Sequence, residues 1–256
     1  MLRVDTKSLK TLALAVLLSL PLAACSTTAG TYSSEEIDDP FQGFNKAVFA
    51  FNDGADTVLL RPVAMGYRQV VPEPVRTGLR NFLRNLRAPV NFTNEVLQGD
   101  FQGAGNVFTR TAVNTLIGLG GVVDVAAMEG LPYEQEDFGQ TLAVWGVGHG
   151  PYMVLPILGP SSMRDGAGLL VDGLMDPLSW YLRNTDQEEW MYARMGAEGL
   201  VKREELLDVL DDLRRNSFDY YAAMRSAYVQ RRSAMVRDVG GVNAAASEAI
   251  PDYSME

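Results

Sequence analysis

The sequence predicts an all-α protein, and two features of the residue pattern support that fold class. Apolar residues recur at helical spacing through much of the chain, most regularly over residues 187–215 and 217–238. No segment alternates apolar and polar residues over the length that indicates a strand. Residues 39–239 are numerous enough to bury a core, and we predict that they form a single domain.

The first 24 residues predict a secretory signal peptide. A basic start leads into residues 11–22, an apolar segment too short to span a membrane. The segment ends in LAAC, which resembles the lipobox of bacterial lipoproteins, whose cysteine carries anchoring acyl chains. We therefore predict a lipid anchor on Cys25, and Ser26 indicates sorting to the outer membrane of a Gram-negative cell. An ordinary signal peptide with an incidental cysteine is the alternative.

The composition excludes some functions. A net charge of −10 argues against nucleic acid as a partner, because such partners need a basic surface. Cys25 is the only cysteine, which removes disulfides and thiolate metal sites. Residues 25–38 are mostly small and polar and predict a flexible tether. Residues 240–256 carry only acidic charge and predict a disordered tail.

The first helix of the domain carries little charge. We expect Asp39 to cap it and Pro40 to be its first residue. Asn45 and Asn52 lie beside an apolar stripe, and a strip of small residues allows close approach of another backbone. This pattern predicts a helix that is packed or immersed in lipid on nearly all sides, with a buried core helix as the alternative. The apolar stripe consists of Phe41, Phe44, Val48 and Phe51.

A second helix is predicted from residue 73 to residue 87. Prolines at 62, 72 and 74 break the stretch before it, and Pro89 ends it ahead of a short helix over 90–98. One face is basic, which predicts contact with phosphate head groups or with an acidic partner; a solvated face is the alternative. The basic face consists of Arg76, Arg80, Arg84 and Arg87.

Residues 138–163 contain no Asp, Glu, Lys or Arg. Glycines and prolines interrupt this run, so it predicts apolar, loop-like backbone instead of a spanning helix. Irregular backbone at membrane depth is tolerated only under protein cover or along a cavity, and a globular core is the alternative. Flanking helices are predicted over 101–118 and 163–175, and an aromatic turn at Trp180 and Tyr181 follows the second.

The motifs that could carry chemistry are incomplete. His149 is the only histidine, which excludes a histidine metal cluster. The glycines of residues 146–150 lack the lysine of a phosphate loop. Ser161 and Ser162 lie outside the G-x-S-x-G pattern of a serine nucleophile. We predict that the protein is not an enzyme and uses no metal or cofactor.

Five stretches of the chain resemble the MlaA (VacJ) family of outer-membrane lipoproteins. They begin with DPFQGFNKAVFAFN and end with DPLSWYLR, and they cover most of residues 39–183. The resemblance implies a ring-shaped helical domain, embedded in one leaflet, around a central amphipathic channel. The stretches are residues 39–52, 61–100, 114–126, 136–165 and 176–183.

The resemblance also implies a function. Such proteins remove phospholipids mislocalised to the outer leaflet of the outer membrane and pass them to a soluble periplasmic carrier, MlaC, beside trimeric porins. A scaffold or binding lipoprotein without lipid transport is the alternative. We expect the lipid path to touch Phe41, Phe44, Asn45, Asn52, Gly148, Gly150, Pro151 and Tyr152.

Overall fold

The computed structural model describes residues 39–238, and helices make up most of this part of the chain. The all-α fold class is therefore confirmed. The predictions for the signal peptide (1–24), the tether (25–38) and the tail (240–256) lie outside the described residues. The elements in chain order are α1 (Gln42–Ala55), a π-helical turn (Asp56–Leu60), α2 (Arg61–Val70), α3 (Glu73–Gln98), α4 (Phe101–Leu116), α5 (Val125–Met128), α6 (Phe138–Val144), β1 (Tyr152–Leu155), β2 (Gly159–Ser162), α7 (Met163–Met175), α8 (Pro177–Asn184), α9 (Glu188–Glu205), α10 (Leu207–Asn216) and α11 (Tyr220–Asp238).

Two prolines do not break helices as the sequence predicted. Pro62 is in the first turn of α2, directly after the π-helical turn, where its missing N–H is tolerated. Pro89 lies inside α3, which runs unbroken to Gln98. An interior proline costs roughly 3 kcal/mol, and burial of the neighbouring Ala88 and Val90 offsets that cost. Tertiary packing therefore decides the length of α3.

The start of α1 also differs from the prediction. Phe41 precedes the helix without a side-chain cap, so the assignment of Asp39 as cap is wrong. The Asp39 carboxylate instead accepts hydrogen bonds from the Asn45 amide, at 2.7 Å, and from the Tyr221 hydroxyl. Its role is to join the beginning of the domain to α11.

The uncharged run forms regular structure at both ends. It begins with α6 and ends in a hairpin in which Tyr152 pairs with Ser162 and Leu155 with Gly159. Four-residue strands are too short to show an alternating pattern in a sequence, so this hairpin was not predicted. The aromatic turn expected near Trp180 is part of a helix, α8. The helix predicted over 163–175 is confirmed at both bounds.

A group of buried charges ties α11 to α6 and α7. Arg232 donates to both oxygens of Asp137 at 2.5 and 2.6 Å, and its Nε lies 2.7 Å from an oxygen of Asp165. Burial opposes ionisation of both carboxyl groups. The hydrogen bonds and charge of Arg232, joined at Asp165 by Arg164 and the Tyr228 hydroxyl, together outweigh burial and lower the pKa of each group. The interior near α11 is thus held largely by ionic contacts.

We expect Arg232→Met to lower the free energy of unfolding by about 3–5 kcal/mol, because it leaves the buried Asp137 carboxylate without its partner and Asp165 with one of its two arginines. Arg215→Met is the matched control, since Arg215 pairs with Asp212 at the surface and such pairs contribute less than about 1 kcal/mol. Denaturant unfolding of the detergent-solubilised protein measures both. Equal costs for the two variants would contradict this account of the interior.

Candidate functional site

Two asparagines of α1 hold the hairpin. The Asn45 amide donates to the carbonyl of Tyr152 at 3.0 Å and accepts from the backbone N–H of Val154 at 2.9 Å. Two turns later, Asn52 donates to the carbonyl of Leu155 at 2.9 Å and accepts from the N–H of Ile157 at 2.7 Å. Each side-chain amide therefore completes the hydrogen bonds of the free edge of β1, as the backbone of a neighbouring strand would.

The structure brings some of the predicted lipid-path residues together. Asn45, Asn52 and Tyr152 meet where α1 and β1 touch, and Asn45 and Tyr152 are fully buried. Phe41, directly before α1, and Phe44, in its first turn, are both exposed. The remaining three residues, which precede β1, are Gly148 and Gly150, both exposed, and the partly buried Pro151.

Large apolar side chains are exposed in unusual number. The strongest cases include Val58 in the π-helical turn, 80% exposed, and Leu116 at the end of α4, 83% exposed. At the hairpin turn, Ile157 and Leu158 are each 69% exposed. Extended apolar surface on a folded protein marks a contact with lipid or with another protein. No helix within residues 39–238 is long and apolar enough to cross a membrane.

The basic stripe of α3 is paired within the chain. Arg76 contacts Glu204 of α9, and Arg80 and Arg84 both reach Glu205 at 3.3 and 3.2 Å. The fourth member of the stripe, Arg87, lies 3.6 Å from Asp172 of α7. The stripe is thus paired with carboxylates of the same chain.

His149 sits beside the buried ion pair of Arg164 and Asp165. Its Nδ1 lies 3.0 Å from the guanidinium of Arg164, which also pairs with Asp165. Burial and then the Arg164 charge lower the pKa of His149, which favours the neutral ring. Within the described part of the chain, no three His, Cys, Asp or Glu residues are placed to hold a metal ion.

A helical domain with this much apolar surface, behind a predicted lipid anchor, belongs to the class of membrane-associated lipoproteins. A comparison with known families identifies which one: the profile of the MlaA lipoprotein matches residues 37–235. The chain belongs to the MlaA family.

Several relatives carry a functional name. The chain is 41% identical over 198 residues to the "Intermembrane phospholipid transport system lipoprotein MlaA" of Escherichia coli K12, covering 75% of this chain and 76% of that protein. The protein of the same name from Haemophilus influenzae is 32% identical over 247 residues, which covers 95% and 96% of the two chains. The fold resembles a solved structure described as "Structural basis for maintenance of bacterial outer membrane lipid asymmetry", with a TM-score of 0.67, 41% identity and coverage of 78% and 99%.

Asn45→Leu should release the hairpin from α1. The carbonyl of Tyr152 and the N–H of Val154 would be buried without partners, at a cost of about 1–3 kcal/mol each. We expect the Val154 amide to lose hydrogen-exchange protection, as measured by mass spectrometry. Gln42→Leu on the exposed start of the same helix is the control and should leave that protection unchanged. Unaltered exchange in both variants would contradict the role assigned to Asn45.

Proposed function

We propose that this chain is an outer-membrane lipoprotein that removes mislocalised phospholipids from the outer leaflet and passes them through a channel to a periplasmic carrier. This activity maintains the lipid asymmetry of the outer membrane. The observation that carries the proposal is the exposed apolar surface on helices too short or too polar to span a bilayer. Family membership and the names of the relatives support it.

The apolar surface would lie in the hydrocarbon of one leaflet. Each square ångström of apolar surface removed from water contributes about 25 cal/mol, so side chains such as Val58, Leu116 and Leu170 favour immersion. A predicted acyl anchor on Cys25 would hold the domain at that leaflet. We propose that the helices surround a central amphipathic channel there, as the family resemblance implies.

The channel would lower the energetic cost of moving a phospholipid between leaflets. A phospholipid that changes leaflets must move a charged head group past hydrocarbon, which costs several kcal/mol without polar contacts. No bond is made or broken, so the process needs no cofactor and no catalytic residue. A polar lining with an apolar rim lowers this barrier.

We propose that the hairpin and α1 border the lipid path. Phe41 and Phe44 would meet acyl chains, because they are exposed and apolar. The segment that leads into β1 contains Gly148, Gly150 and Pro151. The backbone amides of this segment would meet head groups. The residues that hold the hairpin in place would lie beneath this surface and shape the path. They are Asn45, Asn52 and Tyr152.

The proposed partners are phospholipid, an MlaC-like periplasmic carrier and a trimeric porin. The exposed apolar side chains offer surface to both lipid and porin. The arginine stripe of α3 is assigned instead to the packing of α3 against α9 and α7, since intramolecular carboxylates already neutralise it.

A strain that lacks this gene should accumulate phospholipid on the cell surface, as measured with an amine-reactive probe that does not cross the outer membrane. The intact gene should restore the normal level, whereas Cys25→Ala should fail because the protein loses its anchor. Ser26→Ala is the control and should restore it. Unchanged surface phospholipid in the deletion strain would favour the alternative, a scaffold lipoprotein.

Photo-crosslinking should test the path directly. A photoreactive amino acid at Phe44 or Leu158, both exposed near the hairpin, should capture phospholipid in intact membranes. The same group at Asp208, an exposed residue of α10 paired with Arg68, should capture none. Capture of protein alone from Phe44 and Leu158 would overturn the assignment of the lipid path.

A further inference from the structure

A separate cavity of about 250 Å³ lies between the end of α3, the segment before α6, and α11. It shares none of its lining residues with the α1–hairpin contact. Most of the polar groups around it are hydrogen-bond acceptors, and one cation stands among them. These charged and amide residues are Glu95, Asp100, Glu134, Gln135, Glu136, Gln140 and Arg231.

Gln140 and Glu95 are both buried, but only Glu95 is open to the cavity, because Gln140 has no exposed surface. Gln140 is fully buried, and its amide nitrogen donates to the carbonyl of Gln135 at 2.9 Å, whereas its Oε1 has no hydrogen-bond partner. Glu95 is 4% exposed, and no group within residues 39–238 donates a hydrogen bond to its carboxyl. Buried acceptors are almost always paired in folded proteins, so the Glu95 carboxyl indicates a missing donor.

The adjacent Glu136 is only partly satisfied. Its carboxyl is buried and accepts one hydrogen bond, from the side chain of Gln98 at 2.8 Å. Burial, reinforced by neighbouring carboxylates, raises the pKa of Glu136 to about 8 and that of Glu95 to about 7. The carboxylates that act on these two groups are Asp100, Glu134 and Asp137. Two arginines lie nearby: Arg231 lines the same cavity, and Arg232 is bound to Asp137.

The acceptors define the chemistry of a ligand. A metal ion does not fit, because no three ligating side chains of the described residues converge on one point. An anion would meet mostly carboxylates. The cavity is smaller than the roughly 300–1,000 Å³ of a site for a drug-sized molecule, so it suits a small cation or a head group.

We propose that this cavity binds a primary ammonium group, as carried by phosphatidylethanolamine or by a free amine. An ammonium group has three N–H donors and a full positive charge, which match the carboxyls of Glu95 and Glu136. Arg231, an exposed residue of the same lining, is placed to meet the phosphate of a phosphoethanolamine head group. The lipid source rests on the proposed function; the ammonium site does not.

Binding should depend on pH in a defined direction. The carboxyls bind a cation best when ionised, and ligand binding therefore releases protons from Glu95 and Glu136. Affinity should rise as the pH passes upward through their raised pKa values. A trimethylated ammonium lacks the N–H donors and should bind more weakly at every pH.

Calorimetry on the purified full-length chain in detergent tests the proposal. Short-chain phosphatidylethanolamine should bind about tenfold more tightly than the matching phosphatidylcholine at pH 8.5, and the difference should shrink at pH 5.5. The double variant Glu95→Gln, Glu136→Gln should abolish the preference while Glu129→Gln, an exposed carboxyl outside the cavity, keeps it. Thermal unfolding confirms that the variants are folded.

Binding of free ethanolamine and of phosphoethanolamine distinguishes a lipid head group from a soluble amine as the ligand. Arg231→Gln should weaken binding of phosphoethanolamine but not of ethanolamine. Binding of free amines without binding of the lipid would support the ammonium site and assign it to a soluble ligand. Equal binding of the two lipids with no binding of either amine would overturn the site, whereas the deletion phenotype tests the transport function independently.

Discussion

The hairpin can exist only if its outer backbone groups find partners, and this constraint shapes the beginning of the domain. Within residues 39–238, no third strand lies beside its edge strand, so the amides of Asn45 and Asn52 supply the missing donors and acceptors. Asp39 in turn orients Asn45 and accepts from Tyr221 of α11. A break at Asn45 would therefore reach both ends of the described chain.

Apolar and polar groups are distributed in an unusual way. The largest apolar cluster of buried residues is small and centres on Tyr152, Val154 and Tyr221. Much of the remaining interior is ionic, as at Arg232 and its two carboxylates. Many apolar side chains instead face outward. This arrangement suits a protein whose surroundings include hydrocarbon, because the surface then supplies part of the driving force for folding in place.

The sequence was a good guide to helices with clear ends and a poor guide to long-range contacts. The bounds of α7 were predicted correctly because Ser162 caps it and Asp176-Pro177 ends it, both local signals. The prediction that a helix ends at Pro89 was wrong, because packing of the neighbouring residues outweighs the cost of a proline inside a helix. The paired roles of Asn45 and Asn52 depend on a strand about a hundred residues away, which spacing alone does not show.

The π-helical turn between α1 and α2 sets the angle at which two sets of contacts are presented. One extra residue in the turn rotates everything after it by about 100° relative to a plain α-helix. Before the turn, Asn52 faces the hairpin; after it, Arg61 and Arg68 face carboxylates of α10 and α9. If one residue were deleted from this turn, the straight helix could keep the hydrogen bonds of its asparagines or the ion pairs of its arginines, but not both.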